Sequence, residues 1–335
     1  MTGRAQAGFV GTWGSEGRKA GNARKALSIC IPTHERPGDL RRCLARIGSL
    51  DPQLSSLIEV CVSDNGSTYD FPALMESFCY LGDLRWRRSE ANVGFDRNVL
   101  VVIGRATGEY VMLLGNDDMV VEEGLHRLMD LLESHRPDAV FANYSITAFV
   151  SGKTHNVYEL AGPRTGLRFE AIAELLREKV SFISSAVVRR ERLRLNAPAV
   201  VGCIGKQFIH MALIFEGLKD SCGVAYSPYP LSQATDRNRD EYDIKEMFLR
   251  DLGFVVNSFA AAYGARAMRS FRMGVVEHVV MSGERLSRSD LRQFGLRGSR
   301  ALFMLALSRS RFLAITYCRL RAVKRRLSRR RGFDR

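Results

Sequence analysis

Residues 110–114 (YVMLL) form an unbroken apolar run that offers no polar side chain to either face of a sheet, and this run restricts the fold more than any other feature. Such a run fits a strand covered on both sides, as in the parallel sheets of α/β proteins. Its exit reverses in character, because Gly115, Asn116, Asp117 and Asp118 follow at once. Two carboxylates and a carboxamide therefore gather at the carboxyl end of a buried strand, where open α/β sheets bind their ligands. Adjacent carboxylates repel one another unless a cation lies between them, and an oxygen-only cluster suits Mg²⁺ or Mn²⁺ rather than zinc. The competing reading is that Asp117 or Asp118 only caps the helix that begins near Val121.

The segments before it repeat the same design. Residues 27–31 (LSICI) read as a short strand, with Pro32, Thr33, His34 and Glu35 at its exit. Pro37 then suits a first helical turn, and Leu40, Cys43, Leu44 and Ile47 recur at helical spacing. Residues 57–62 (LIEVCV) form a second strand that ends in Ser63, Asp64, Asn65, Gly66 and Ser67. After a helix beyond Asp70 comes a short strand at 84–87, then Asn92 to Asn98, then a helical stretch from 99 to 106. The order β-α-β-α-β-α-β describes a doubly wound half whose polar turns collect at one sheet edge if the strands run parallel. Further on, Leu125, Leu128, Met129 and Leu132 mark an amphipathic helix, and residues 139–144 another strand. Neither G-x-G-x-x-G nor G-x-x-x-x-G-K-[ST] occurs at these turns, so a nucleotide would be held some other way.

With 335 residues, 46% of them hydrophobic, the chain can build one large domain or two modest ones. The formal charge of +14 is misleading. Residues 309–335 hold eleven Lys/Arg and one Asp, net +10, and residues 1–25 are net +4, which leaves the middle neutral. Such a distribution argues against a nucleic-acid-binding core, so no nucleic acid is expected, and for an electrostatic tether. In residues 311–327, Leu313, Tyr317, Leu320 and Leu327 lie near one helical face, with Arg319, Lys324, Arg325 and Arg326 largely elsewhere. That is the pattern of a helix lying on an anionic membrane surface, although binding RNA or packing on the domain also suits a basic helix. Seven cysteines show no C-x-x-C pair, and Cys30 and Cys61 fall in predicted buried strands, as suits reduced thiols in a cytosolic protein. No apolar run approaches the roughly 20 residues that span a bilayer. Residues 1–25 lack the apolar centre of a signal peptide and read as a disordered leader. The expected location is therefore the cytoplasm, peripheral on the inner face of the cell membrane.

The series ICIPTHERP, VCVSDNGS, NVGFDRN and EYVMLLGNDD, in this order and at this spacing, resembles the donor half of family-two glycosyltransferases with the GT-A fold. The likeness is nearest to the subgroup that transfers sugars in bacterial O-antigen or capsule assembly, including abequosyltransferase-like enzymes. It is close over the strands described above and looser from Phe182 (FISSAVVRRE) onward. The resemblance implies an α/β GT-A fold, mainly a parallel doubly wound sheet flanked by helices, with a helical C-terminal extension. The corresponding division is a leader at 1–25, a glycosyltransferase domain at 26–235 (donor half 26–120, acceptor half 121–235), and an extension at 236–335 ending in the basic helix. It implies inverting, Mg²⁺- or Mn²⁺-assisted transfer from a nucleotide-sugar donor to a glycan or lipid-linked acceptor in cell-surface polysaccharide biosynthesis.

By the same resemblance, Asp117 is the metal ligand, with Asp118 beside or behind the metal and Asn116 towards the ribose. Many family members carry D-x-D-D here, and Gly115 stands where the first aspartate would fall. Asp64 matches the aspartate that accepts a hydrogen bond from the nucleotide base. A carboxylate there reads an imide N–H and favours uridine or thymidine, while the abequosyl likeness points to cytidine. Pro32, Thr33 and Glu35 line the same pocket; Asn92, Gly94, Arg97 and Asn98 match an Asn-rich motif, with Arg97 reaching the diphosphate. Arg237 and Arg239, in the polar linker at 234–239, are further candidates to close over it. The family's catalytic base is a carboxylate of the acceptor half, often in a Glu-Asp pair. No such pair stands in 202–215 (GCIGKQFIHMALIF), which leaves His210 as the first candidate, although a lone His among apolar helical positions is more often a core residue. The altered acidic motif and the missing pair also fit an alternative, a non-catalytic nucleotide-fold binding protein recruited through its basic tail.

Overall fold

The computed structural model describes residues 13–18, 25–235, 243–294, 298–309, 313, 316 and 317. Its strands are β1 (Trp13–Arg18), β2 (Leu27–Thr33), β3 (Ile58–Asp64), β4 (Leu84–Ser89), β5 (Tyr110–Leu113), β6 (Met119–Val120), β7 (Ala139–Thr147), β8 (Thr154–Asn156), β9 (Arg164–Leu167), β10 (Ala186–Arg189) and β11 (Val224–Thr235). They form one sheet in the order β1-β4-β3-β2-β5-β10-β7-β11-β6, with β8 on β7 and β9 on β11. The segment β4-β3-β2-β5 is parallel throughout, as the alternation of strands and helices predicts. β10, the apolar part of FISSAVVRRE, inserts antiparallel between β5 and β7, and β7 and β11 are again parallel.

Every residue of β2, β3 and β5 is buried. The strand period of two explains why these runs are apolar on both faces. Ile29, Ile31, Met112 and Leu114 enter one core, while Cys30, Cys61, Val111 and Leu113 enter the core on the other face. The helix Pro37–Gly48 starts with Pro at its first turn and buries the predicted Leu40, Cys43, Leu44 and Ile47. The helix Glu122–His135 has Val121 at its N-cap and no side-chain cap. Neither Asp117 nor Asp118 caps it, so the competing reading of the acidic turn falls.

Trp13–Arg18, within the segment read as a disordered leader, instead forms β1 antiparallel to β4. The leader expectation fails at these residues because the exposed edge of β4 supplies backbone partners that composition does not encode. Six described cysteines are thiols, and Cys30, Cys43, Cys61 and Cys203 of them are buried.

Beyond residue 243 the described chain is helical, as expected from its pattern. The helix Ala265–Met281 contributes Phe271, Val275 and Val279 to the core that holds Phe169 and Phe215. A buried ion pair, Arg177 Nη1 to Glu277 Oε2 at 2.6 Å, joins that helix to residues 177–181. Tyr317 donates its hydroxyl to Glu277 Oε1 at 3.3 Å and sets its ring edge-on to Phe303 at 5.0 Å. Tyr317, assigned from the sequence to a lipid-facing stripe, thus packs on the domain. Arg237 and Arg239, and the basic residues after Tyr317, lie outside the described residues. Among the described residues no helix is long and apolar enough to cross a membrane.

Candidate functional site

Because β4, β3, β2 and β5 are parallel, their exits meet at one sheet edge, and side chains from each exit hold the others in place. Asn98 is buried; its Nδ2 donates to the carbonyls of Ser63 at 3.0 Å and Thr33 at 3.4 Å, and its Oδ1 accepts from Ser63 Oγ at 2.6 Å. One amide therefore ties the ends of β2 and β3 to the helix Phe95–Gly104. Asn65 does the same for the loop after β4: its Nδ2 donates to Asn92 Oδ1 and its Oδ1 accepts from Val93 N, both at 2.8 Å. Asn92 Oδ1 also accepts from Gly94 N at 2.9 Å, and its Nδ2 lies 3.0 Å from His34 Nε2. Gly66 has φ +74, and a Cβ there would stand 2.6 Å from the Ala91 carbonyl carbon. Only glycine permits this crossing of two turns.

Asp64 is fully buried, accepting from Ser67 N at 3.1 Å and from the Ser67 hydroxyl, with Arg88 Nε at 3.7 Å. Burial pushes its carboxyl above the ordinary range, against the opposing pull of Ser67 and Arg88. Glu35 is occupied with the same turn: Oε1 accepts from Thr68 N at 2.7 Å, Oε2 from Thr68 Oγ1 at 3.1 Å, and Glu35 N donates to Ser67 Oγ at 2.8 Å. Its carboxylate thus shapes the loop that presents Asp64. Pro32 is buried within β2 opposite Ser63. Thr33 Oγ1 accepts from Asn116 Nδ2 at 2.8 Å, which orients that carboxamide at the exit of β2. Gly94 and Arg97 are exposed, and Arg97 has no ion pair among the described residues.

At the acidic turn the two carboxylates differ. Asp117 is partly exposed, with Oδ2 3.6 Å from Arg36 Nη1. Asp118 is buried; its Oδ2 accepts from Ser184 Oγ at 2.5 Å, and Ser184 Oγ accepts from Gly115 N at 2.9 Å. Burial and the neighbouring Asp117 charge push the Asp118 carboxyl up to about 8, opposed by the Ser184 bond. Glu59, a buried acid at the start of β3, shows what full satisfaction looks like. Burial works against its charge, yet the Ser28 hydroxyl and the Thr107 and Gly108 donors outweigh it and hold its carboxyl below the ordinary range. Arg85 adds a further contact to Glu59 at 3.1 Å. Asp118 has the Ser184 hydroxyl as its side-chain donor, and two adjacent carboxylates are a set that a hard divalent cation fits. A Cβ at position 115 would stand 2.8 Å from Asp118 Oδ2, so Asp118 itself fills the space beside Gly115.

Ser184, Ser67, Asn65 and His34 are site residues that sequence reasoning did not single out. Ser184 carried a weak signal as one of two serines in the apolar FISSAVV run. Asp51, Glu122 and His126 form another cluster of metal-type ligands, with donor atoms within 4.8 Å of one another. None of them was a predicted site residue, and the cluster is internally matched: Asp51 contacts His126 at 2.5 Å and Glu122 lies 3.6 Å from Arg46.

His210, the first candidate for the base, lies in an apolar setting. Its ring is 6% exposed and sits among Ile103, Val111, Leu113, Leu213 and Ile214. Nε2 lies 2.9 Å from the Ser181 carbonyl and donates to it, and burial lowers the imidazole pKa to about 4. A base must meet the acceptor hydroxyl, and this ring meets apolar side chains and a carbonyl instead.

Residues 28–192 match the model of glycosyl transferase family 2. The abequosyltransferase RfbV of Salmonella typhimurium is 33% identical over 110 residues, which cover 32% of this chain and 33% of that relative. The match thus spans about a third of that protein's length. Among solved structures, S. aureus TarS 1–349 in complex with UDP superposes with a TM-score of 0.59 at 16% identity, covering 88% of this chain and 91% of that one. The mannosyltransferase PcManGT from Pyrobaculum calidifontis, in complex with GDP-Man and Mn²⁺, has a TM-score of 0.52 at 15% identity, with 88% and 87% covered. The fold is GT-A, as the sequence motifs imply.

Proposed function

With residues 28–192 belonging to glycosyl transferase family 2, we propose that the protein is an enzyme that moves a sugar from a nucleotide-sugar donor to a glycan or lipid-linked acceptor in cell-surface polysaccharide biosynthesis. The observation that carries this reading is the convergence of four parallel strand exits on one pocket edge, with Asp64, Asn116 and Asp117 among them. In it, Asp64 takes the nucleotide base and Asn116, oriented by Thr33, faces the ribose. Arg97 turns to the diphosphate from the rim. Asp117 holds Mg²⁺ or Mn²⁺ with Asp118 behind it, and such a cation supplies Lewis acidity to the departing diphosphate. The solved neighbours named above, bound to UDP in one case and to GDP-Man with Mn²⁺ in the other, support the donor class.

Transfer is read as inverting, with the acceptor hydroxyl attacking in line and a base other than His210 taking its proton. The location proposed is the cytoplasm, peripheral on the inner face of the membrane. The net +10 of residues 309–335 docks on anionic lipid, with Tyr317 engaged by the domain. A buried, neutral His210 and Gly115 in the acidic motif favour one second reading, a nucleotide-binding protein without turnover.

The test is a thermal-shift panel of UDP, GDP and CDP with and without Mn²⁺, followed by release of the nucleoside diphosphate from the matching sugar nucleotide. One nucleotide is expected to stabilise the protein, by about 2.7 kcal/mol at a hundredfold excess over Kd, and more so with Mn²⁺. If none of the three shifts the melting transition, the pocket reading fails; stabilisation without turnover selects the binding protein.

A further inference from the structure

The helix Ile209–Leu218 begins without a cap of its own: Phe208 occupies the N-cap, no side chain bonds there, and its first turn holds no acid. Its first amide, Ile209 N, and three amides of the loop before it are met by one carboxylate far away in the sequence. Asp96 Oδ2 accepts from Gly205 N at 2.7 Å, Lys206 N at 2.8 Å and Gln207 N at 3.0 Å, and Oδ1 accepts from Ile209 N at 3.3 Å. The carboxylate is 3% exposed. Gly205 at φ +88 and Gln207 at φ +56 bend the backbone so that successive N–H groups converge, the geometry of an anion nest. Gln207 holds this left-handed conformation against its own preference, which marks the nest as built for the charge it receives.

Asp96 lies in the NVGFDRN motif, and its neighbours face the nucleotide pocket. Two residues on, Asn98 bonds the Thr33 and Ser63 carbonyls; two residues back, Gly94 N bonds Asn92, which Asn65 holds. One short segment, 92–98, therefore grips the pocket on one side and the loop at 202–208 on the other. Asp96 stands in the first turn of the helix Phe95–Gly104, one turn from the exits of β2 and β3 that Asn98 bonds, so its bonds tie residues 205–207 to that end of the sheet, while Lys206 Nζ lies over the Phe254 ring on the other side.

Resting on the glycosyltransferase reading above, we propose that Asp96 is a positioning residue for transfer. It fixes residues 202–208 as the acceptor-side wall of the nucleotide pocket, so that order in this loop follows occupancy of the pocket. A cap serving stability alone would hold the loop equally with or without nucleotide.

Hydrogen exchange read by mass spectrometry separates these roles. The probe is whichever of UDP, GDP and CDP, with Mn²⁺, most stabilises the wild type. In the wild type the nucleotide is expected to slow exchange at 64–67 and also at 205–209. Asp96→Asn and Asp96→Ala are expected to speed exchange at 205–209 by roughly tenfold or more. They keep the nucleotide's protection at 64–67 and lose it at 205–209. Protection at 64–67 with no response at 205–209 in the wild type overturns the positioning role and leaves the pocket reading intact. No protection at 64–67 overturns the pocket reading and this role with it. If neither variant folds, Asp96 is a folding element and the positioning role is overturned.

Discussion

His210 titrates in a way that separates a core histidine from a catalytic one. Folding lowers its pKa from 6.5 to about 4 through burial, with the Ser181 carbonyl opposing. As the pH drops below 6.5 the unfolded chain takes up the proton first, so this contribution to stability is fully present above that value and is lost as the pH falls towards 4. Between about pH 7 and about pH 5 the loss amounts to about 2 kcal/mol, since a tenfold change in proton affinity is worth about 1.4 kcal/mol. His210→Phe keeps the ring volume among Ile103, Leu113 and Ile214 and removes the titration. It also leaves the Ser181 carbonyl without its donor, at a cost of about 1–3 kcal/mol at neutral pH. Urea unfolding of both proteins at the two pH values is the assay, and the difference between them cancels every other titrating group. The expected result is a variant less stable at about pH 7, by an amount that shrinks by about 2 kcal/mol at about pH 5, with nucleotide binding retained. Parallel pH dependence in the two proteins would refute the neutral, buried imidazole. A variant that keeps its stability but loses turnover would return His210 to the reaction.

Asp117→Asn is expected to remove the Mn²⁺-dependent part of stabilisation by a nucleoside diphosphate while leaving the apo melting temperature in place, because the side chain is partly exposed; unchanged Mn²⁺ dependence would deny it the metal. Ser184→Ala takes away the donor to Asp118 and the acceptor of Gly115 N, for a loss of about 1–3 kcal/mol in urea unfolding; a neutral outcome would mean that water replaces both bonds. Gly124→Ala should destabilise by about 1–3 kcal/mol or more, since the new Cβ would stand 1.9 Å from the Pro230 carbonyl oxygen, backbone that has no rotamer to change. Glu277→Ala removes the carboxylate paired with Arg177 in a site where both side chains are 7% exposed, and calorimetry should register about 3–5 kcal/mol lost; a shift of less than about 1 kcal/mol would show that the guanidinium's other partners or water make up for the pair.

The amino-acid order alone determined much of the strand-exit edge. Mostly apolar runs at 27–31 and 57–62 and the wholly apolar run at 110–114 suit buried strands, and a parallel core places their polar exits together. The place of Asp64, Asn116, Asp117 and Asp118 at those exits is therefore legible from short-range pattern, whereas the roles given to them come from the family resemblance. That pattern carries no strand direction and no partner, however. The antiparallel insertion of β10 between β5 and β7, and the docking of β1 on β4, join segments far apart in the chain and were decided by tertiary pairing. Ser184 reaches Asp118 across 66 residues, and Asp96 reaches Ile209 across 113. In the sequence one is a serine in an apolar run and the other an ordinary acid in a first helical turn. His210 looks like a base by its residue type, and burial among apolar side chains keeps it neutral well below its ordinary pKa. Secondary structure follows from spacing along the chain, whereas the charge state and hydrogen-bond partners of a side chain follow from what distant segments bring to it, and those are set only when the tertiary structure closes.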